Sequence, residues 1–174
     1  VKEAEEKKKS KKGPYEIHEF NTIKEIFENS ISKYPENTVI LQKPKHKEPY
    51  KEFTYKQFGN DVKALGTKLI KMLPQNPRVV IISETTYDWY LSYMTMLCGA
   101  GIAVPVDKEL PYNELENLIN RSKASAVIFS SKKKDIVKKI EENVPSVKYF
   151  IEMNCDDFIE NQHVGINYLI KEGK

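Results

Sequence analysis

At 174 residues, with 40% hydrophobic residues, ten Tyr, seven Phe and one Trp, the chain carries enough apolar side chains to bury one globular core. Its net charge of +3 is confined to the first twelve residues, which take six of the 28 basic and three of the 25 acidic side chains and leave 22 of each in the rest. A neutral body lacks the positive surplus that neutralises phosphates, so nucleic acid is not an expected partner.

The opening run VKEAEEKKKSKKG has no aromatic or β-branched residue after Val1 and is expected to be a disordered basic arm over residues 1–13, with residues 14–174 forming one α/β unit. No stretch of eighteen apolar residues occurs and the first thirty residues are charged, which predicts neither a spanning helix nor a secretory signal and points to a cytoplasmic protein. The segment TIKEIFENSISKYP sets Thr22 and Glu25 at capping-box spacing, places Ile23, Ile26, Phe27 and Ile31 at helical intervals and stops at Pro35, predicting an amphipathic helix. TVILQ and FTY follow on either side of the polar stretch KPKHKEPYK and read as a hairpin apart from the main sheet. Thr54 and Gln57 repeat the capping spacing. Tyr55, Phe58, Val62, Leu65, Leu69 and Met72 then recur at steps of three and four, predicting a helix from Tyr55 to about Leu73.

From Arg78 onward short apolar runs, RVVIIS, GIAVPV, SAVIFS and VKYFIE, alternate with the helical stretches YDWYLSYMTMLCG, PYNELENLINRSK and KKDIVKKIEENVP. Runs apolar at consecutive positions suit strands covered on both faces, and the helices between them supply the crossovers that parallel strands need. The expected fold is α/β: a doubly wound, mostly parallel sheet flanked by helices, with a small N-terminal helix and hairpin. The helix from Tyr87 to Leu97 is apolar almost all round, which predicts that it is buried, with its methionines and aromatics as core filler. Gly99 suits the left-handed residue that closes that helix, and Pro111 suits the first turn of the next.

No catalytic constellation is written in these residues. The seven glycines stand at 13, 59, 66, 99, 101, 165 and 173, too dispersed for a phosphate-binding or dinucleotide loop. Cys98 and Cys155 read as buried small hydrophobes, and His18, His46 and His163 are isolated, so no metal site is predicted. SETTYDW, after RVVIIS, falls where doubly wound folds bind ligands. Ser83, Thr85 and Thr86 could offer hydroxyls to a phosphate, but a capped helix start is the preferred reading because no glycine lets the backbone wrap an anion.

Three segments nevertheless resemble a known family in a shared order. FTYKQF with the helix DVKALGTKLI is similar to the L-T-Y-x-E-L opening of the adenylate-forming superfamily, MLCGAGIAVPVDKELP resembles its L-K-A-G-A-x-x-V-P-x-D-P-x-x-P element, and ELENLINRSKASAVIFSS resembles the helix and strand leading toward the phosphate loop. DKELP replaces the commoner DPxxP. With the charged stretch near Lys43 to Lys51, it looks most like the long-chain fatty-acid CoA ligase branch.

The resemblance implies that a fatty acid attacks ATP with Mg²⁺ to form an acyl-adenylate, and that coenzyme A then displaces AMP. The family's phosphate loop, metal-binding glutamate and ribose-binding aspartate have no counterpart in these residues, so the chain is expected to be an inactive N-terminal piece that binds no cofactor alone. Thr54, Tyr55, Gly99, Gly101, Pro105 and Asp107 match the family in structural roles. In some members the loop after the strand AVIFSS contacts the coenzyme A phosphates; here it reads SSKKKD, which makes Lys132, Lys133 and Lys134 candidate contacts, set against a solvated helix start. The competing expectation is a self-contained flavodoxin-like binding or interaction domain.

Overall fold

The computed structural model describes residues 18–44, 47–157 and 162–174, so the basic arm expected over residues 1–13 lies outside the described residues, as does His46. The first helix, α1 (Ile23–Lys33), is capped by Thr22, whose Oγ1 accepts from the Glu25 N–H at 3.1 Å while Glu25 reaches back to the Asn21 N–H at 2.7 Å. Strands β1 (Thr38–Gln42) and β2 (Lys51–Thr54) pair antiparallel as a separate two-stranded sheet with an irregularity between Thr38 and Ile40. Thr54 then caps α2 (Tyr55–Met72), accepting from the Gln57 N–H at 3.2 Å, and Leu65 and Leu69 on its inner face are fully buried.

The main sheet comprises β3 (Arg78–Ile82), β4 (Ile102–Pro105), β5 (Ala126–Phe129), β6 (Tyr149–Glu152) and β7 (His163–Gly165), all parallel, in the order β4-β3-β5-β6-β7. Between them run α3 (Tyr87–Thr95), α4 (Tyr112–Ser122) and α5 (Lys134–Ile140), and α6 (Ile166–Gly173) follows β7. Side chains alternate across a strand, and that alternation splits the apolar runs between two cores. Val79 and Ile81 of β3, with Ala126 and Ile128 of β5, face α2, α3 and α6. Val80 and Ile82, with Val127 and Phe129, face Leu115 and Ile119 of α4 and Val137 and Ile140 of α5. Every residue of β3 and β5 except Arg78 is therefore buried, which is why these runs show no polar alternation.

Three expectations are corrected. The helix α3 buries Tyr87, Leu91, Ser92 and Thr95 but leaves Tyr90 exposed and Trp89, Tyr93 and Met94 half-buried, because the sheet, α2 and the hairpin cover only part of its circumference. At its end Gly99 has the positive φ expected of it, 109°, but it lies inside a wider π-turn over Met96–Ala100 rather than just past a simple helix stop. Both cysteines are free and half-buried rather than sealed in the core. β7, three residues long, was not foreseen, since so short a run gives no periodic signal.

Gly101 lies where β4 leaves this turn against Pro77, whose carbonyl accepts the Ile102 N–H at 2.8 Å. A Cβ at Gly101 would stand 2.6 Å from that carbonyl oxygen. Gly101→Ala is accordingly expected to displace the start of the edge strand and lower the urea midpoint. Leu65→Ala, which empties a fully buried site on α2, is expected to cost about 2–5 kcal/mol in the same experiment.

Candidate functional site

Numbered within the parallel sheet alone, the strand order is 2-1-3-4-5, with the reversal between β3 and β5. Chains leaving these two strands run to opposite faces, and a crevice opens at their carboxyl ends. There the structure has a cleft of about 710 Å³, walled by Glu84, Thr86 and Asp88 after β3, Ser130 to Lys132 after β5, Met153 and Asn154 after β6, Lys51 and Phe53 of the hairpin, and Asp61, Asn167 and Lys174 from α2 and α6.

Its floor is a buried polar junction. Tyr87 stacks on Phe53 with ring centroids 3.8 Å apart, and its hydroxyl donates to Asp61 at 2.8 Å; Lys174 Nζ approaches the other Asp61 oxygen at 3.1 Å. Burial, reinforced by the acceptor Asp61, pushes the Tyr87 phenol far above its ordinary range, so it stays a donor. Gln42 Oε1 accepts the Tyr87 N–H, which ties the hairpin to the start of α3. Asp88 is raised by burial, against the Asn154 N–H that donates to it at 2.7 Å and the nearby Lys51.

Of the three hydroxyls weighed at the β3 exit, Thr85 is exposed and the other two serve the backbone. Ser83 Oγ donates to the Glu84 carbonyl at 2.6 Å, and Thr86 caps α3 by accepting from the Trp89 N–H at 3.4 Å. Lys132, Lys133 and Lys134 follow β5 in a short 3₁₀ turn running into α5, and they diverge. Lys132 lies at the cleft within 3.6 Å of Glu84; Lys134 donates to the buried Glu152 at 3.0 Å, which holds its ammonium above the usual lysine range; Lys133 sits near Glu109. Burial would raise Glu84, but its own backbone N–H, the Ser130 side chain and Lys132 and Lys108 outweigh it and hold the carboxyl low. Ser130 lies near enough to contribute to that, yet its buried Oγ has no partner at hydrogen-bonding geometry. Among the described residues no group of three or more His, Cys, Asp or Glu is arranged to hold a metal ion, and no helix is long and apolar enough to cross a membrane.

Sequence reasoning picked out the lysine loop and the β3 exit but missed Asp61, Asp88, Glu152 and Ser130. Only Ser130 carried a signal, as a polar residue closing an apolar strand. The carboxylates meet partners 18 to 66 positions away.

A parallel α/β scaffold with its cleft at the switch point defines a nucleotide- or ligand-binding class of fold. The sequence profile described as AMP-binding enzyme matches residues 27–167, and the chain belongs to that family. It is 25% identical over 149 residues to long-chain-fatty-acid–CoA ligase 5 of Rattus norvegicus, across 82% of this chain and 22% of that protein. Its fold is that of an anthranilate CoA ligase, AuaEII, solved in complex with anthranoyl-AMP (TM-score 0.75, 17% identity, 89% of this chain and 29% of that one). It is equally that of the A-PCP didomain of a carboxylic acid reductase from Segniliparus rugosus, solved with AMP (TM-score 0.77, 10% identity, 90% and 27%). The chain thus spans less than a third of the length of each of these relatives. Relatives and structural neighbours are adenylate-forming enzymes, in agreement with the resemblance and the doubly wound fold expected from the sequence.

Asp88 gives a pH signature. A carboxyl whose folded pKa is raised binds its proton more tightly in the folded state, so its contribution to stability is complete below its unfolded pKa and is lost as pH rises through the folded value. Asp88→Asn keeps an oxygen for the Asn154 N–H and is expected to raise the melting temperature at pH 7 while removing the part of the acid-to-neutral decline due to this group. A melting series from pH 3.5 to 7.5 checks it.

Proposed function

We propose that the chain is the N-terminal α/β part of an ATP-dependent, AMP-forming enzyme that activates a long-chain fatty acid as its acyl-adenylate and transfers it to coenzyme A. The observation that carries this reading is the family match across residues 27–167, from α1 to α6, on a chain whose cleft is built without a glycine-rich loop. The long-chain preference rests on the DKELP variant and on the similarity to long-chain-fatty-acid–CoA ligase 5.

The residues present do not fit ATP or Mg²⁺. A triphosphate needs several backbone N–H groups closely wrapped, and the β3 and β5 exits contain no glycine. In this reading residues 14–174 form the incomplete N-terminal subdomain, the enzyme works in the cytoplasm, and ATP, Mg²⁺ and the reacting carboxylate are held by parts of the enzyme beyond Lys174. Coenzyme A fits better. The loop after β5 brings Lys132 to the cleft wall beside the buried Ser130; of the candidate contacts Lys132, Lys133 and Lys134, the first two would meet its phosphates, orienting the thiol's carrier rather than touching the thioester chemistry, while Lys134 stays on Glu152.

The 174-residue chain alone is expected to give no ATP–pyrophosphate exchange with fatty acids, whereas the product of a reading frame extended past Lys174 is expected to form acyl-CoA from palmitate. Turnover by the short chain would overturn the placement of the active site. In that longer enzyme Lys132→Glu with Lys133→Glu is expected to raise KM for coenzyme A by about tenfold or more while leaving pyrophosphate exchange near its starting rate. An unchanged KM would remove the lysines from the coenzyme site.

A further inference from the structure

The carboxyl ends of β3, β5 and β6 lie side by side, and each carries charge: Glu84 follows β3, the lysine turn follows β5, and Glu152 ends β6. The two ion pairs across this row are unlike. Glu152 is 7% exposed and takes a 3.0 Å hydrogen bond from Lys134, so removing the lysine would strand a carboxylate away from water. That lysine belongs to the fold. Lys132, its side chain 74% exposed, meets Glu84 at only 3.6 Å, a contact that solvent and salt weaken.

Beside this loose pair stands Ser130, 9% exposed, whose Oγ has no hydrogen-bond partner although it lines the same cleft as Glu84 and Lys132. Buried hydroxyls are nearly always paired, and this one, covered from solvent beside the Glu84 carboxylate, would gain an acceptor when a ligand oxygen takes the carboxylate's place.

We propose that Glu84 is a resident competitor that holds Lys132 until a phosphate group, received by Lys132 and Ser130 Oγ together, takes its place. The inference rests on the anion-contact reading of the lysine loop and adds to it the residue that sets its threshold. A tethered carboxylate has an effective concentration in the millimolar range at its partner, so a dilute monoanion does not dislodge it. A phosphate offers a second charge and more acceptor oxygens, and it also satisfies the serine. Lys108 and Lys133, with Glu109, complete the charged surroundings of the pair, and the ligand selected is a phosphorylated one rather than a simple carboxylate.

The test titrates 3′-phosphoadenosine 5′-diphosphate, with acetate as the monoanion, into the 174-residue chain and follows amide shifts by NMR. Glu84→Gln is expected to tighten the nucleotide by about two- to fivefold, the loss of one exposed ion pair, and to make acetate binding detectable. Lys132→Gln is expected to weaken the nucleotide, and in the double variant the gain from Glu84→Gln should vanish. Glu84→Asp keeps the charge but shortens the reach, and it should show a gain as well, which separates pairing from general repulsion. A tighter complex in the Glu84→Gln variant that persists without Lys132 would overturn the competitor role. No change on Glu84→Gln while Lys132→Gln weakens binding would also sink the competitor, with the lysine contact standing. Indifference to Lys132→Gln, or no binding by any variant, would remove the contact reading itself.

Discussion

A parallel strand in the middle of a sheet has to be covered on both faces, and nearly everything else in this chain follows from that constraint. Val79 and Ile81 commit β3 to the layer of α2, α3 and α6, while Val80 and Ile82 commit it to α4 and α5. With helices required on both sides, the chain must change direction between β3 and β5, and the crevice opens where it does so. The cleft is therefore a consequence of burial, and its chemistry is set by whichever residues happen to end the strands. Here those residues are Ser83 and Glu84, Ser130 to Lys134, and Glu152.

The hairpin and α1 lie outside this scheme but bear on the same place. Phe27, Phe58, Tyr87 and Phe53 form a chain of ring contacts running from α1 through α2 and α3 to β2. Through the Tyr87 stack and the Gln42 hydrogen bond the small sheet is fixed against the β3 exit, so Lys51 and Phe53 become part of the cleft wall. An apolar junction thus does the positioning, and the polar contacts at Asp61 register its final geometry.

Much of this architecture could be read from the residue pattern, and the reason is again burial. Two threonine N-caps, steps of three and four in α1 and α2, and four short apolar runs are each produced by a local rule, and each element stands where the rule puts it. The misreadings came where local and global rules part. Helix α3 has the composition of a fully buried helix, yet it is an outer-layer helix whose Trp89, Tyr90, Tyr93 and Met94 face partly outward. The short β7 exists because β6 offers it a free edge, which no property of HVG reveals. The site was readable in its cations and not in their partners. Three adjacent lysines are conspicuous in sequence, but Glu84 and Glu152 reach them only through strand order.

That pairing changes what a run of lysines means. On a solvated helix start the three ammonium groups would act alike. The fold instead assigns one of them to a buried carboxylate and one to a partly exposed carboxylate, leaving Lys133 near Glu109. Burial is what separates the roles: the Glu152 side chain closes β6 almost out of reach of water, whereas Glu84 lies past the end of β3, more exposed, and leads into the open crevice. A cleft built this way can respond to an anion at Lys132 without loosening the loop, because the ion pair that anchors the loop is not the one facing the ligand.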